Sequence, residues 1–106
     1  MAELKQNPLL KDYQNYIQQI GVERGWNKNN HLELFLLFSE EVGELAKAIR
    51  NYDKLYAEKD KSHPVNIDEE LADVFNYLLD LANYFKIDLE TAFRNKEQIN
   101  ATRKWD

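Results

Sequence analysis

The chain has 106 residues and no cysteine, and 14 lysines and arginines against 19 aspartates and glutamates leave a formal charge of −5 at pH 7. That length suits one domain, the missing thiols exclude disulfides, zinc–thiolate sites and cysteine nucleophiles, and the acidic balance argues against nucleic acid or an anionic membrane as partner, since both favour clustered Lys and Arg. No stretch reaches the ~20 apolar residues of a membrane span and Met1 to Lys11 lacks the apolar run of a signal peptide, so the expected compartment is the cytoplasm.

Only 3 glycines and 2 prolines interrupt the chain, and apolar residues recur at helical spacing. The predicted fold is therefore all-α, a four to five helix bundle in a single domain over 1–106 with a tail at 1–7. A first helix is expected after Asn7-Pro8, read as a capping residue with proline at the first helical position. It carries Leu9, Tyr13, Tyr16, Ile17 and Ile20 on one face and ends at Gly21 or Gly25. A second runs from His31 into the Asn51 region with Leu34, Phe35, Phe38, Val42, Leu45 and Ile49 as its stripe. The span 51–66 is a charged, aperiodic connection closed by His63-Pro64. Asn66 with Glu69 marks the start of a third helix carrying Leu71, Val74, Phe75, Leu78, Leu81, Ala82 and Phe85, and Asp88 caps a fourth with Leu89, Ala92, Phe93 and Ile99. So short a chain leaves apolar helix faces uncovered, which predicts a homodimer or homotetramer.

Certain acids fall on the apolar side of these helices. At about 100° per residue Glu41 points with Leu34 and Ala48, Glu44 lies beside Leu37, Glu70 shares its direction with Tyr77, and Asp73 sits next to it. Residues three apart on a helix are neighbours, so Glu41 with Glu44 and Glu70 with Asp73 each make a two-carboxylate pincer. Acids drawn out of water need a cation, a proton or strong hydrogen bonds. An oxygen-only set suits Mg²⁺, with Mn²⁺ as substitute, and the lack of His or Cys in it disfavours zinc. On the fourth helix the stripe of Leu89, Ala92 and Phe93 continues as Lys96, Asn100 and Arg103, groups suited to gripping phosphate oxygens.

The run Ser39-Glu40-Glu41-Val42-Gly43-Glu44-Leu45-Ala46, followed by Asp68-Glu69-Glu70-Leu71-Ala72-Asp73-Val74, resembles the paired acidic motifs of MazG-like nucleotide pyrophosphohydrolases, and the likeness extends from about Trp26 to Lys104. The resemblance implies the all-α NTP pyrophosphatase fold. It implies Mg²⁺-dependent hydrolysis of a nucleoside triphosphate to the monophosphate and pyrophosphate, with a role in nucleotide-pool house-cleaning. It makes Glu41, Glu44, Glu70 and Asp73 the metal ligands, places Lys96, Asn100 and Arg103 against the phosphates, and makes Trp26 the residue that holds the base. His31, Asn27 and Asn30 are further base partners near the first motif, and Glu40 or Glu41 is the group that orients the attacking water. The alternatives are a phosphoribosyl-ATP pyrophosphatase and a non-catalytic helical interaction module. A di-iron carboxylate bundle wants Glu-x-x-His, and neither His31 nor His63 follows a glutamate at that spacing.

Overall fold

The computed structural model describes residues 1–53 and 66–103. Among them are four helices, α1 (Leu10–Glu23), α2 (His31–Tyr52), α3 (Ile67–Tyr84) and α4 (Leu89–Thr102), and no strand. No helix of the described residues is long and apolar enough to cross a membrane. Most of the 51–66 connection lies outside the described residues, but α2 carries its first two positions as helix.

The start of α1 differs from the Asn7-Pro8 expectation. Asn7 takes a left-handed backbone at φ 52, and Leu9 is the capping residue. The Leu9 N–H donates to Asp12 Oδ2 at 2.9 Å, and Lys5 Nζ lies 3.2 Å from Asp12 Oδ1. Hydrogen bonding from the Leu9 backbone, helped by Lys5, holds the Asp12 carboxyl below its usual range. The acid in the first turn thus supplies the anchor that Asn7 was expected to give.

At the other end Gly21 stays inside α1 and Gly25 closes it. The Gly25 N–H donates to Val22 O at 3.2 Å and the Trp26 N–H to Gly21 O at 2.7 Å. These two bonds make a Schellman motif, whose left-handed position Gly25 occupies at φ 71. α3 ends in the same way, with Ile87 N–H donating to Ala82 O at 2.8 Å and Lys86 N–H to Asn83 O at 3.1 Å. Here the left-handed position at φ 57 belongs to Lys86, a residue with a Cβ to accommodate.

α2 begins as a full capping box: Asn30 Oδ1 accepts from the Glu33 N–H at 2.9 Å, and Glu33 Oε1 accepts from the Asn30 N–H at 3.0 Å. α4 is capped by Asp88, whose Oδ2 accepts from Thr91 Oγ1 at 2.6 Å and from the Thr91 N–H at 3.1 Å. Those two bonds lower the Asp88 pKa.

The helices gather into two compact units, Met1–Lys28 with the stretch beginning at Leu79, and Asn29–Leu78, so the boundary falls within α3. In the first unit Ile17, Ile20, Leu79 and Ala82 are buried. A polar network joins α1 to the α3–α4 turn. Buried Gln14 donates through Nε2 to Asn83 Oδ1 at 3.1 Å and to Ile87 O at 2.9 Å, and its Oε1 accepts the Leu89 N–H at 3.0 Å. Asn83 Nδ2 returns a bond to Gln14 O at 2.9 Å. In the second unit Leu34 is buried, and Phe35 and Phe38 lie with centroids 6.4 Å apart.

The chain buries less of its apolar stripes than the periodicity suggests. Leu9, Phe35, Val42, Ile49, Leu71, Leu78, Phe85, Phe93 and Ile99 were all expected on core-facing stripes and are all exposed. The stripes are real as helical faces; what lies over them is not another part of the described chain.

Candidate metal centre

Within the second unit, helical spacing sets Glu41 one turn before Glu44 on α2, and Glu70 one turn before Asp73 at the start of α3. The two helices bring three of these acids together. Glu41, Glu70 and Asp73 each offer a carboxylate oxygen, and the three oxygens lie within 4.8 Å of one another. Glu41 and Glu70 are half-buried, whereas Asp73 and Glu44 are exposed.

The electrostatics carry the mark of crowding. Burial pushes the Glu41 carboxyl above its ordinary range, and the charges of Asp73, Glu70, Glu40 and Glu44 push it further. Glu70 is raised by burial, then by Asp73, Glu44 and Glu69. Among the described residues, the charges that act on both groups are acidic. Glu44 is outside the tight trio, yet its charge reaches both half-buried members of it.

The donor set fits a hard divalent cation. Opposite ligands of an octahedral Mg²⁺ stand about 4.2 Å apart, at ~2.1 Å from the ion each. A trio whose oxygens all lie within 4.8 Å of one another therefore needs only small side-chain movements to converge on one ion. Glu40 and Glu69, next in sequence to the trio, add negative charge from positions exposed to solvent.

The remaining candidates belong to different surroundings. Lys96 is exposed on α4, Asn100 is half-buried near its end, and Arg103 is the residue that follows the helix, with an extended backbone. No residue of α4 is fully buried, and Phe93 is 70% exposed, so the middle of the stripe read as inward is open to solvent among the described residues, while Leu89 and Asn100 are half-buried. His31 opens α2 and is exposed; Asn30 is occupied as its cap. Trp26 stands 56% exposed just past α1, with the Arg24 guanidinium carbon 4.9 Å from its ring centroid. Arg24 had not stood out in the sequence. Its signal is a cation two residues before a tryptophan, across the glycine that ends the helix.

The sequence profile of the MazG nucleotide pyrophosphohydrolase domain matches residues 29–103. The chain belongs to this family. The MazG match includes both acid pairs and the Lys96–Arg103 series, and begins after Trp26. Among solved structures, the crystal structure of YpjD from Bacillus subtilis, a protein assigned as a pyrophosphatase, is 29% identical with a TM-score of 0.71, over 94% of this chain and 100% of that one. No curated protein matches the chain. MazG membership supports nucleotide pyrophosphatase activity, a hydrolysis of phosphoric anhydrides, and with it a nucleotide substrate. The acidic trio gives this member a group suited to a metal.

Proposed function

We propose that the protein hydrolyses a nucleoside triphosphate, ribo or deoxyribo, to the monophosphate and pyrophosphate in the presence of Mg²⁺, as a guard of the cytoplasmic nucleotide pool. The observation that carries this reading is the trio of Glu41, Glu70 and Asp73, with oxygens within 4.8 Å of one another and two of the carboxyls raised by burial and then by their acidic neighbours. Acids held together against their own repulsion imply a cation that relieves it. A bound divalent ion supplies Lewis acidity toward phosphoryl oxygens and partners the polyphosphate charge.

In this reading Glu41, Glu44, Glu70 and Asp73 hold the metal. Glu40 or Glu41 accepts a hydrogen bond from the attacking water, aims its lone pair at the α-phosphorus, and takes the proton as the new P–O bond forms and the bond to pyrophosphate breaks. Lys96 and Arg103 donate to the oxygens of the departing pyrophosphate and Asn100 fixes their geometry. Trp26 stacks on the base, with His31 as a second base contact. Lys96→Ala and Arg103→Lys serve as direct checks of the phosphate assignment, because the second keeps the charge and loses only the planar fork.

Association completes the proposal. Exposed Leu32, Phe35 and Leu36 on α2, with Phe93 and Ile99 on α4, are apolar surface of the kind a homodimer or homotetramer covers.

The test is turnover of a panel of triphosphates in Mg²⁺, Mn²⁺ or EDTA, run in ¹⁸O-water. The expected products are monophosphate and pyrophosphate with the label in the monophosphate, and no turnover in EDTA. Release of single phosphate, or inertness toward the whole panel with Mg²⁺ present, would overturn the reading.

A further inference from the structure

Trp26 is an exposed indole that is nonetheless held in place. Its backbone is tied to α1 by the bond from its N–H to Gly21 O at 2.7 Å, the outer bond of the Schellman closure. Its ring leaves 56% of the residue exposed, so it seals no core. Arg24, on the other side of left-handed Gly25, places its guanidinium carbon 4.9 Å from the ring centroid, inside the ~6 Å reach of a cation–π contact. Among the described residues Arg24 has no carboxylate partner competing for it. A planar, weakly hydrated guanidinium is the side chain best suited to lie on an aromatic face.

An indole has two faces, and here a cation occupies one. We infer that Arg24 is a positioning residue that restrains Trp26 as a one-faced platform on which the planar base of the nucleotide stacks. This inference rests on the proposed role of Trp26 as the base contact. Stacking on an aromatic side chain tolerates any base, because every base has a π-face. The platform therefore contributes affinity for purine and pyrimidine nucleotides alike. Restraining the ring in advance lowers the ordering cost of binding, an effect carried by affinity and not by the chemical step. Arg24 acts through the ring and makes no contact with the phosphates.

The experiment compares Arg24→Ala, Arg24→Lys, Trp26→Ala and the double variant Arg24→Ala/Trp26→Ala. Kd is measured for α,β-methylene analogues of a purine and a pyrimidine triphosphate, and KM and kcat for the parent triphosphates. Inorganic tripolyphosphate, which has no base, is titrated as a competitor. Acrylamide quenching of Trp26 emission is read in a Trp105→Phe background; the binding and kinetic arms keep Trp105, so they stand whatever that change does to folding.

The expected result for Arg24→Ala is a rise of about two- to fivefold in Kd and KM, kcat retained, greater quenching of Trp26, and tripolyphosphate affinity unchanged. Arg24→Lys falls between, and the double variant binds no worse than Trp26→Ala. If Trp26→Ala weakens nucleotide binding while Arg24→Ala leaves it unchanged, the inference fails and the base-contact reading survives. If Trp26→Ala itself leaves Kd unchanged, the base-contact reading fails and the inference with it. A loss of tripolyphosphate affinity in Arg24→Ala would make Arg24 a phosphate contact and overturn the positioning role.

Discussion

Asp80 lies half-buried on α3, next to the almost fully buried Leu79. Burial raises its carboxyl from 3.8 to about 6. At ~1.4 kcal/mol per pH unit, that displacement corresponds to about 3 kcal/mol between the ionised and neutral forms in the folded chain. Part of the group is open to water, and screening there reduces the expected effect to about 1–2 kcal/mol.

The sign follows from the proton count. The folded state binds this proton more tightly than the unfolded chain, so ionisation opposes folding. The cost is absent below 3.8, grows as pH rises toward 6, and is complete above that. Asp80→Asn removes the charge at nearly constant volume. It should therefore stabilise the protein by about 1–2 kcal/mol near pH 8 and make little difference near pH 4. Urea denaturation at fixed protein concentration, at several pH values, reads the difference directly. A gain that does not vary with pH, or a variant less stable than the parent near pH 8, would show that the Asp80 charge is compensated in the native state and refute the argument.

Three further outcomes follow from other sites. Gln14→Leu leaves the Ile87 carbonyl and the Leu89 N–H without their partner and should cost roughly 2–6 kcal/mol in the same denaturation assay, at about 1–3 kcal/mol per orphaned group; a loss within error would mean that water replaces the amide. Lys86→Gly relieves a left-handed backbone at φ 57 and should gain up to about 1 kcal/mol, seen as a higher Tm, whereas a lower Tm would show that the lysine side chain contributes more than its backbone strain costs. Glu41→Gln removes a carboxylate that burial and acid neighbours disfavour, so without metal it should raise Tm at neutral pH, above the ordinary glutamate range, and lose that advantage as pH falls. Added Mg²⁺ should lift the parent's Tm more than the variant's, and equal lifts would exclude Glu41 from the metal site.

The acid pairs were legible because their geometry is local. Three residues separate Glu41 from Glu44 and Glu70 from Asp73, and any helix puts such neighbours side by side. The cap at Asp88 was legible for the same reason, since it reaches only three residues along; the capping box at Asn30 is as local, but Asn30 was read only as a base partner. The Gln14 network was not, because its partners lie 69 to 75 residues away, and a lone glutamine among apolar residues carries no mark of them. Arg24 on Trp26 depends on the turn that Gly25 makes, which helical periodicity does not describe. The expectation at Asn7 failed because two anchors competed for the start of α1, and Asp12, bonded to the Leu9 N–H and beside Lys5, holds the later one.

Periodicity also sets which residues share a face without saying what covers it, and α4 shows the consequence. Phe93, Lys96 and Asn100 recur at helical spacing, and Phe93 is 70% exposed. A second copy that covered Phe93 would draw Lys96 and Asn100 out of bulk water, where a cation attracts phosphate more strongly. Assembly and phosphate binding would then be one property of one face. Phe93→Asp separates the cases. If the α4 face is covered by another copy, the variant should fall to a smaller mass by light scattering, and KM should rise at protein concentrations where the parent is assembled. A variant with parental mass and parental KM would place the assembly surface elsewhere, and with it the reason for an exposed phenylalanine on the helix that carries the phosphate-binding candidates.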